Sequence, residues 1–253
     1  MADLHVTRLG VGPRAVFVHG SFGWGDETWS AQRPLADEFE LLLVDRSGFG
    51  RSRARGRVDF DRDADDVASL LSCGAHLVGH SYGGVVALLA AARNRAAVRS
   101  LTVIEPPALA LVRGDPIAEE FIAELDRLSG ATRDPSAYRT GFVRAFGFSA
   151  DHVELRGTAL DAARASMTER PPWEAEIPLD ALGEAAFPKL VVRGDWSDAP
   201  ATAQRRARTI FHAICDVLEE QLDAESAEFP AAHNPQLLGA PFNDRLRALW
   251  TSI

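Results

Sequence analysis

Gly79-His80-Ser81-Tyr82-Gly83 follows the apolar run His76-Leu77-Val78 and opens into Tyr82 to Ala92, a stretch apolar enough to be a buried helix. A serine between two glycines at a strand-to-helix junction is the pattern G-x-S-x-G. So tight a turn holds its central residue in a strained backbone conformation, and the flanking glycines let strand and helix approach without Cβ clashes. The Ser81 hydroxyl is then expected above the C-terminal edge of a sheet.

Outward from this turn, strand-length apolar runs alternate with helical periodicities. Ala15-Val16-Phe17-Val18 ends in His19-Gly20, Leu41-Leu42-Leu43-Val44 in Asp45, and Leu101-Thr102-Val103-Ile104 in Glu105. Asp61 to Leu71 begins with acids that suit a helix N-terminus. Unalternated β-branched and Leu runs imply strands covered on both faces, hence an α/β fold with a mainly parallel sheet. After Glu105 the rhythm changes. Pro106-Pro107 breaks the chain, Asp115-Pro116 opens a helix with Ile117, Phe121, Leu125 and Leu128 on its core face, and Asp134-Pro135 opens another with Tyr138, Phe142 and Phe146. Residues 108–186 are too many for a plain connection, and read as a helical cap inserted into a core domain made of 1–107 and 187–253. The strand pattern resumes at Lys189-Leu190-Val191-Val192. A helix near 201–222, a short strand near 225–229 and a closing helix from Pro241 to Trp250 follow.

Composition bounds the function. The 253 residues are 46% apolar and 25% charged, enough for one large domain with a sizeable core. The longest apolar stretch, Val85 to Ala92, falls well short of the roughly 18 residues needed to span a bilayer. The start, Met1-Ala2-Asp3-Leu4-His5, lacks the features of a secretion signal, so a cytoplasmic location is expected. A formal charge of −9 without a basic run argues against nucleic acid or an anionic membrane as partner. Cys73 and Cys215 belong to no ligand-spaced cluster and read as reduced, buried thiols, with Cys215 on a face shared by Phe211, Ile214, Leu218 and Leu222.

A serine hydroxyl is a poor nucleophile at neutral pH and needs a base within hydrogen-bond reach, itself oriented by a third group. His233, in the loop Pro230-Ala231-Ala232-His233-Asn234-Pro235, is the expected base. Among the other histidines, His80 is expected to pack under the site. Charge developing on a substrate oxygen needs two backbone N–H groups. Tyr82, after the nucleophile, supplies one, and the turn after His19-Gly20 the other, through Ser21 or alternatively Phe22. That turn is glycine-rich but has neither dinucleotide nor Walker spacing.

Together, His19-Gly20, Asp45-Arg46-Ser47-Gly48-Phe49-Gly50-Arg51-Ser52, Gly79 to Gly83, Gly194-Asp195 and His233 resemble the α/β-hydrolase superfamily. The resemblance implies an eight-stranded, mainly parallel sheet, a cap over the active site, and chemistry with no metal or organic cofactor. The family's usual acid follows a later strand in a G-x-x-D turn. Here Ser197 stands three residues after Gly194, and Asp198 comes one position late. Glu105, at the end of the strand after the nucleophile, is placed as in zearalenone-type lactone hydrolases and one class of haloalkane dehalogenases. Glu105 is the expected acid, with Asp198 and then Asp195 as alternatives.

Dehalogenases and related epoxide hydrolases attack carbon with a carboxylate; a serine in that role would leave an inert ether. Ser81 therefore points to acyl transfer on a small-molecule ester or lactone through an acyl-enzyme. The alternatives are carbon–carbon bond cleavage or a lyase reaction on the same residues, or a low-turnover ligand receptor. The aromatic residues of the cap, Phe121, Tyr138, Phe142, Phe146, Phe148 and Trp173, are read mostly as cap core. Trp173 and Trp24 are expected to touch substrate.

Overall fold

The computed structural model describes residues 4–71 and 74–251. Seven strands form one sheet: β1 (Val6–Leu9), β2 (Arg14–Val18), β3 (Glu40–Val44), β4 (Ala75–His80), β5 (Val98–Ile104), β6 (Lys189–Gly194) and β7 (Glu225–Phe229), in the order β1-β3-β2-β4-β5-β6-β7. Only β1 is antiparallel, pairing with β3. The sheet thus has seven strands among the described residues where eight were expected: β1 is itself the edge strand, pairing with β3 alone. The parallel register aligns Val18 with Gly79, His80 with Ile104, and Ile104 with Val192. As a result the residues that follow these strands gather on a single edge of the sheet.

Among the described residues ten helices surround the sheet. Before β6 come α1 (Gly25–Thr28), α2 (Phe60–Leu70), α3 (Tyr82–Arg93), α4 (Pro116–Ala131), α5 (Pro135–Ala145), α6 (Gly157–Ser166) and α7 (Leu179–Gly183). After it come α8 (Ala201–Ala203), α9 (Thr209–Leu222) and α10 (Ala240–Thr251), with a π-helical turn over Gln204–Arg208 between α8 and α9. Residues 82–91 of α3 are buried throughout, as a helix packed between sheet and neighbours must be. The glycines flanking the serine have a steric cause. A Cβ on Gly79 would lie 2.3 Å from the Gly83 carbonyl oxygen, and one on Gly83 would lie 2.3 Å from that of Val18.

Between β5 and β6 the described chain forms helices and turns without a strand, as the proline-opened periodicities predict. Asp115 caps α4 by accepting from the amides of Ile117 and Ala118, and Asp134 caps α5 through Ser136 and Ala137, each with proline at the first helical position. The inner faces of these helices carry Phe121, Ile122, Leu125 and Phe146 into the same apolar cluster as α3 and α9. Cys215 is a buried free thiol on the inner face of α9 with Phe211, Ile214, Leu218 and Leu222. Cys73 lies outside the described residues. Among the described residues no helix is long and apolar enough to cross a membrane.

Candidate active site

The register of β4 against β5 sets the first two residues of the site. Because His80 pairs with Ile104, the next residues, Ser81 and Glu105, stand side by side where the two strands end. The Ser81 amide donates to the Ile104 carbonyl at 2.9 Å, and the Glu105 amide to that of Val192 at 3.0 Å. Both residues take positive φ, 52° for Ser81 and 40° for Glu105. Of the five non-glycine residues with positive φ among the described ones, four (Phe22, Ser81, Glu105 and Trp196) lie at this edge. Such conformations cost about 1–3 kcal/mol each and persist where surrounding structure over-determines them.

His233 completes the arrangement from the loop after β7. Its Nε2 lies 3.0 Å from Ser81 Oγ and its Nδ1 2.7 Å from Glu105 Oε2. The other Glu105 oxygen accepts from the Gly194 amide at 2.9 Å and the Trp196 indole at 2.8 Å, and the side chain is wholly buried. A carboxylate facing Nδ1 keeps the ring proton there and leaves Nε2 free to accept from the serine hydroxyl. Phe211, His80, Phe146 and Trp196 pack around the imidazole, with ring centroids 4.5, 4.9, 5.4 and 6.3 Å away. His80 also donates from Nε2 to the His233 carbonyl at 2.9 Å. Burial, with the nearby His233 charge, lowers its pKa to about 3, so it stays neutral as a support beneath the loop. Asp198 is exposed, and Asp195 accepts from the amide and hydroxyl of Ser197, both at 2.9 Å. The carboxylate brought to the histidine is Glu105.

Around the His19-Gly20 turn, nearly every polar group is occupied. The Phe22 amide donates to Ser166 Oγ at 2.8 Å, which removes it as a donor to substrate. The Ser21 hydroxyl donates to Glu169 Oε2 at 2.5 Å, and no hydrogen bond engages the Ser21 amide among the described residues. The Tyr82 amide is the first N–H of α3 and has no acceptor within the helix. Ser21, Ser81 and Tyr82 all border one pocket.

That pocket is walled by the helices between β5 and β6. Phe121, Tyr138, Phe142, Phe146 and Trp173 line it, so these aromatics serve the cavity as well as the packing of their helices. Phe148 does not line it and lies against Trp196, with ring centroids 6.0 Å apart. Trp24 is a correction. It lines a separate cleft with His5, Asp45 and Arg51 and packs against Phe49, Val58 and Ala162. Trp24 is held between the left-handed turn at Phe22 on one side and the Gly25 amide's 2.8 Å bond to Asp45 on the other, which seats it beside Asp45 in that separate cleft.

Sequence reasoning missed the buried arginine beneath the turn. Arg46 is sandwiched between the Phe49 and Tyr82 rings, at 4.3 and 4.5 Å. It donates to Asp63 at 3.1 Å, Glu169 at 2.6 Å, and the His19 and Gly20 carbonyls at 3.0 Å each. Burial raises the pKa of Glu169, and the Arg46 charge opposes that rise. Arg46 stood inside a quoted motif, but its partner 123 residues away carried no local signal.

Residues 15–245 match the model of the alpha/beta hydrolase family. The chain is 41% identical over 106 residues to the pimeloyl-acyl-carrier protein methyl ester esterase of Sodalis glossinidius (strain morsitans), covering 41% of each protein. It thus aligns with about two fifths of that relative's length. It is 29% identical over 230 residues to the esterase of the same name from Methylococcus capsulatus (strain ATCC 33009 / NCIMB 11132 / Bath), covering 85% of this chain and 84% of the relative. The solved structure described as "Est816 as an N-Acyl homoserine lactone degrading enzyme" superposes with a TM-score of 0.63 at 22% identity, over 97% of this chain and 96% of that one, a likeness of fold. With its fold, its strained serine turn and a family model matched over nearly its whole length, the chain belongs to the alpha/beta hydrolase family.

Proposed function

We propose that this protein is a serine hydrolase that cleaves a carboxylic ester or lactone of a small molecule through an acyl-enzyme. The observation that carries the reading is the continuous contact from Glu105 Oε2 through His233 to Ser81 Oγ, at 2.7 and 3.0 Å, opening on a pocket lined by aromatics. Ser81 Oγ attacks the carbonyl carbon while His233 Nε2 takes its proton, and the Glu105 carboxylate stabilises the imidazolium. The carbonyl oxygen becomes an oxyanion facing the amides of Ser21 and Tyr82. Donors so placed contribute about 3–4 kcal/mol each to the barrier reduction, because they are stronger for the oxyanion than for the ground-state carbonyl. As the tetrahedral intermediate collapses, His233 returns the proton to the leaving alkoxide. Water, deprotonated by the same nitrogen, then releases the acid from the ester on Ser81.

Residues 108–186 act in this reading as a cap whose aromatic inner face selects the substrate. The pocket lining includes the carboxylate of Asp126 and, among the described residues, no lysine or arginine, while Glu169 is matched by Arg46, which favours an uncharged acyl group over one ending in a free carboxylate. The relatives named as methyl ester esterases support an ester as the bond cleaved. Steady-state hydrolysis of p-nitrophenyl butyrate, beside a panel of aliphatic lactones followed by acid release, tests the proposal. Turnover that falls at least about a thousandfold in both Ser81→Ala and His233→Ala is the expected result. Wild-type turnover indistinguishable from that of Ser81→Ala would overturn it.

A further inference from the structure

The turn that offers the Ser21 amide to the pocket is held by side chains from outside its own strand. Arg46 donates to the carbonyls of His19 and Gly20. Ser166, at the end of α6, accepts from the Phe22 amide and itself donates to the Ala162 carbonyl at 3.0 Å. Glu169, three residues beyond α6, accepts the Ser21 hydroxyl on one oxygen and the Arg46 guanidinium on the other. Its side chain is only 9% exposed, and that of Arg46 is wholly buried. One carboxylate from the segment between β5 and β6 therefore grips both the oxyanion turn and the arginine that supports it.

We propose that Glu169 is a positioning residue: by binding the Ser21 hydroxyl and Arg46 together, it fixes the Ser21 amide toward the developing oxyanion and makes oxyanion stabilisation depend on the seating of the cap. This rests on the serine-hydrolase reading above. A carboxylate is suited to the task because it accepts on both oxygens, from a hydroxyl and a cation at once. Glutamine in its place either turns its NH2 toward the Arg46 guanidinium and loses that contact, or keeps Arg46 on its oxygen and meets Ser21 with a donor that reverses the hydroxyl, and in both poses the charge that pairs with Arg46 is gone. The turn also carries Phe22 at a φ of 64°, a strained conformation that the surrounding bonds must hold. Ground-state binding, made mainly by the aromatic pocket, does not pass through this contact.

The experiment is the kinetics of p-nitrophenyl butyrate hydrolysis by wild type, Glu169→Gln, Ser21→Ala and the double variant. Glu169→Gln is expected to lower kcat by roughly tenfold to a hundredfold, less than outright loss of an oxyanion donor, with KM within about twofold. If Glu169 acts through Ser21, the double variant is no slower than the worse single one by more than about threefold. A kcat within about threefold of wild type, a penalty confined to KM, or single penalties that multiply in the double variant would overturn the role. Should Glu169→Gln fail to fold, Ser21→Ala against Ser21→Thr reads the same bond from its other end. Threonine, which keeps the hydroxyl, then restores most of the kcat lost with alanine, and equal kcat for wild type and Ser21→Ala contradicts the proposal. A wild type without turnover would instead sink the hydrolase reading, and the positioning role with it.

Discussion

The indole Nε1 of Trp196 donates a 2.8 Å hydrogen bond to Oε1 of Glu105, the oxygen that also accepts the Gly194 amide, and so leaves Oε2 to His233. The carboxylate that faces His233 is thereby oriented from the loop that follows β6. Trp196→Phe keeps the ring and removes the donor. Its kcat on an ester substrate is expected to fall roughly tenfold, the worth of one hydrogen bond to a charged group. Glu105→Gln should cost about a thousandfold or more, by mis-setting the histidine tautomer, while Asp198→Asn stays within about twofold. A collapse of kcat in Asp198→Asn with Glu105→Gln unaffected would overturn the assignment.

Gly83 is required by the approach of α3 to β2. An alanine there would set its Cβ 2.3 Å from the Val18 carbonyl oxygen and 2.4 Å from that of His19, both backbone atoms that cannot swing aside. Gly83→Ala should lower stability by about 3 kcal/mol, as overpacking against fixed backbone does. Gly130→Ala, near the end of α4 with nothing within 4 Å of the new carbon, is expected to be neutral or to stabilise by up to about 1 kcal/mol. Urea denaturation of both proteins checks the pair, and equal effects would contradict the packing argument.

The neutral, buried His80 gives stability a pH dependence of known sign. Its pKa is lowered from 6.5 to about 3, first by burial and then by the His233 charge. Between those values the unfolded chain binds a proton that the folded chain refuses, so stability falls as pH falls through that window. The slope assignable to one such group is about 1.4 kcal/mol per pH unit. His80→Gln, which retains a donor for the His233 carbonyl, should flatten the stability profile between pH 6 and pH 4 by about that amount. Denaturation curves at several pH values that run parallel for the two proteins would show that His80 takes up its proton in the folded state.

Trp173 lines the pocket and Trp24 does not. Trp173→Ala should therefore shift the preference among p-nitrophenyl acetate, butyrate and octanoate several-fold, a few buried methylenes being worth about 1–3 kcal/mol. Trp24→Ala should leave the order of those substrates unchanged. A profile altered by Trp24→Ala alone would mean that the separate cleft communicates with Ser81.

These contrasts show which parts of the molecule local sequence can disclose. The parallel strands were legible because burial on both faces forces continuous runs such as Leu41 to Val44. The serine turn was legible because its backbone admits glycine at two fixed offsets. Glu105 could be singled out because a carboxylate at a strand end faces the reactive edge whatever its partner. β1 escaped notice, since Val6-Thr7-Arg8-Leu9 is short and half polar and exists through pairing with Val44 to Leu41. Trp24 was misplaced because proximity in sequence to the turn after His19-Gly20 says nothing of the left-handed conformation at Phe22. The contact of Arg46 with Glu169 joins elements 123 residues apart, and no local pattern encodes such a pairing.

The central claim, that Ser81 is a nucleophile activated through His233 and Glu105, is tested most directly by intact-mass analysis after reaction with a fluorophosphonate. One adduct per chain, mapped to Ser81, absent from Ser81→Ala and formed at least about a hundredfold more slowly in His233→Ala, is the predicted result. An adduct that persists in Ser81→Ala, or a wild type that takes up none under conditions that label a known serine esterase, would contradict it.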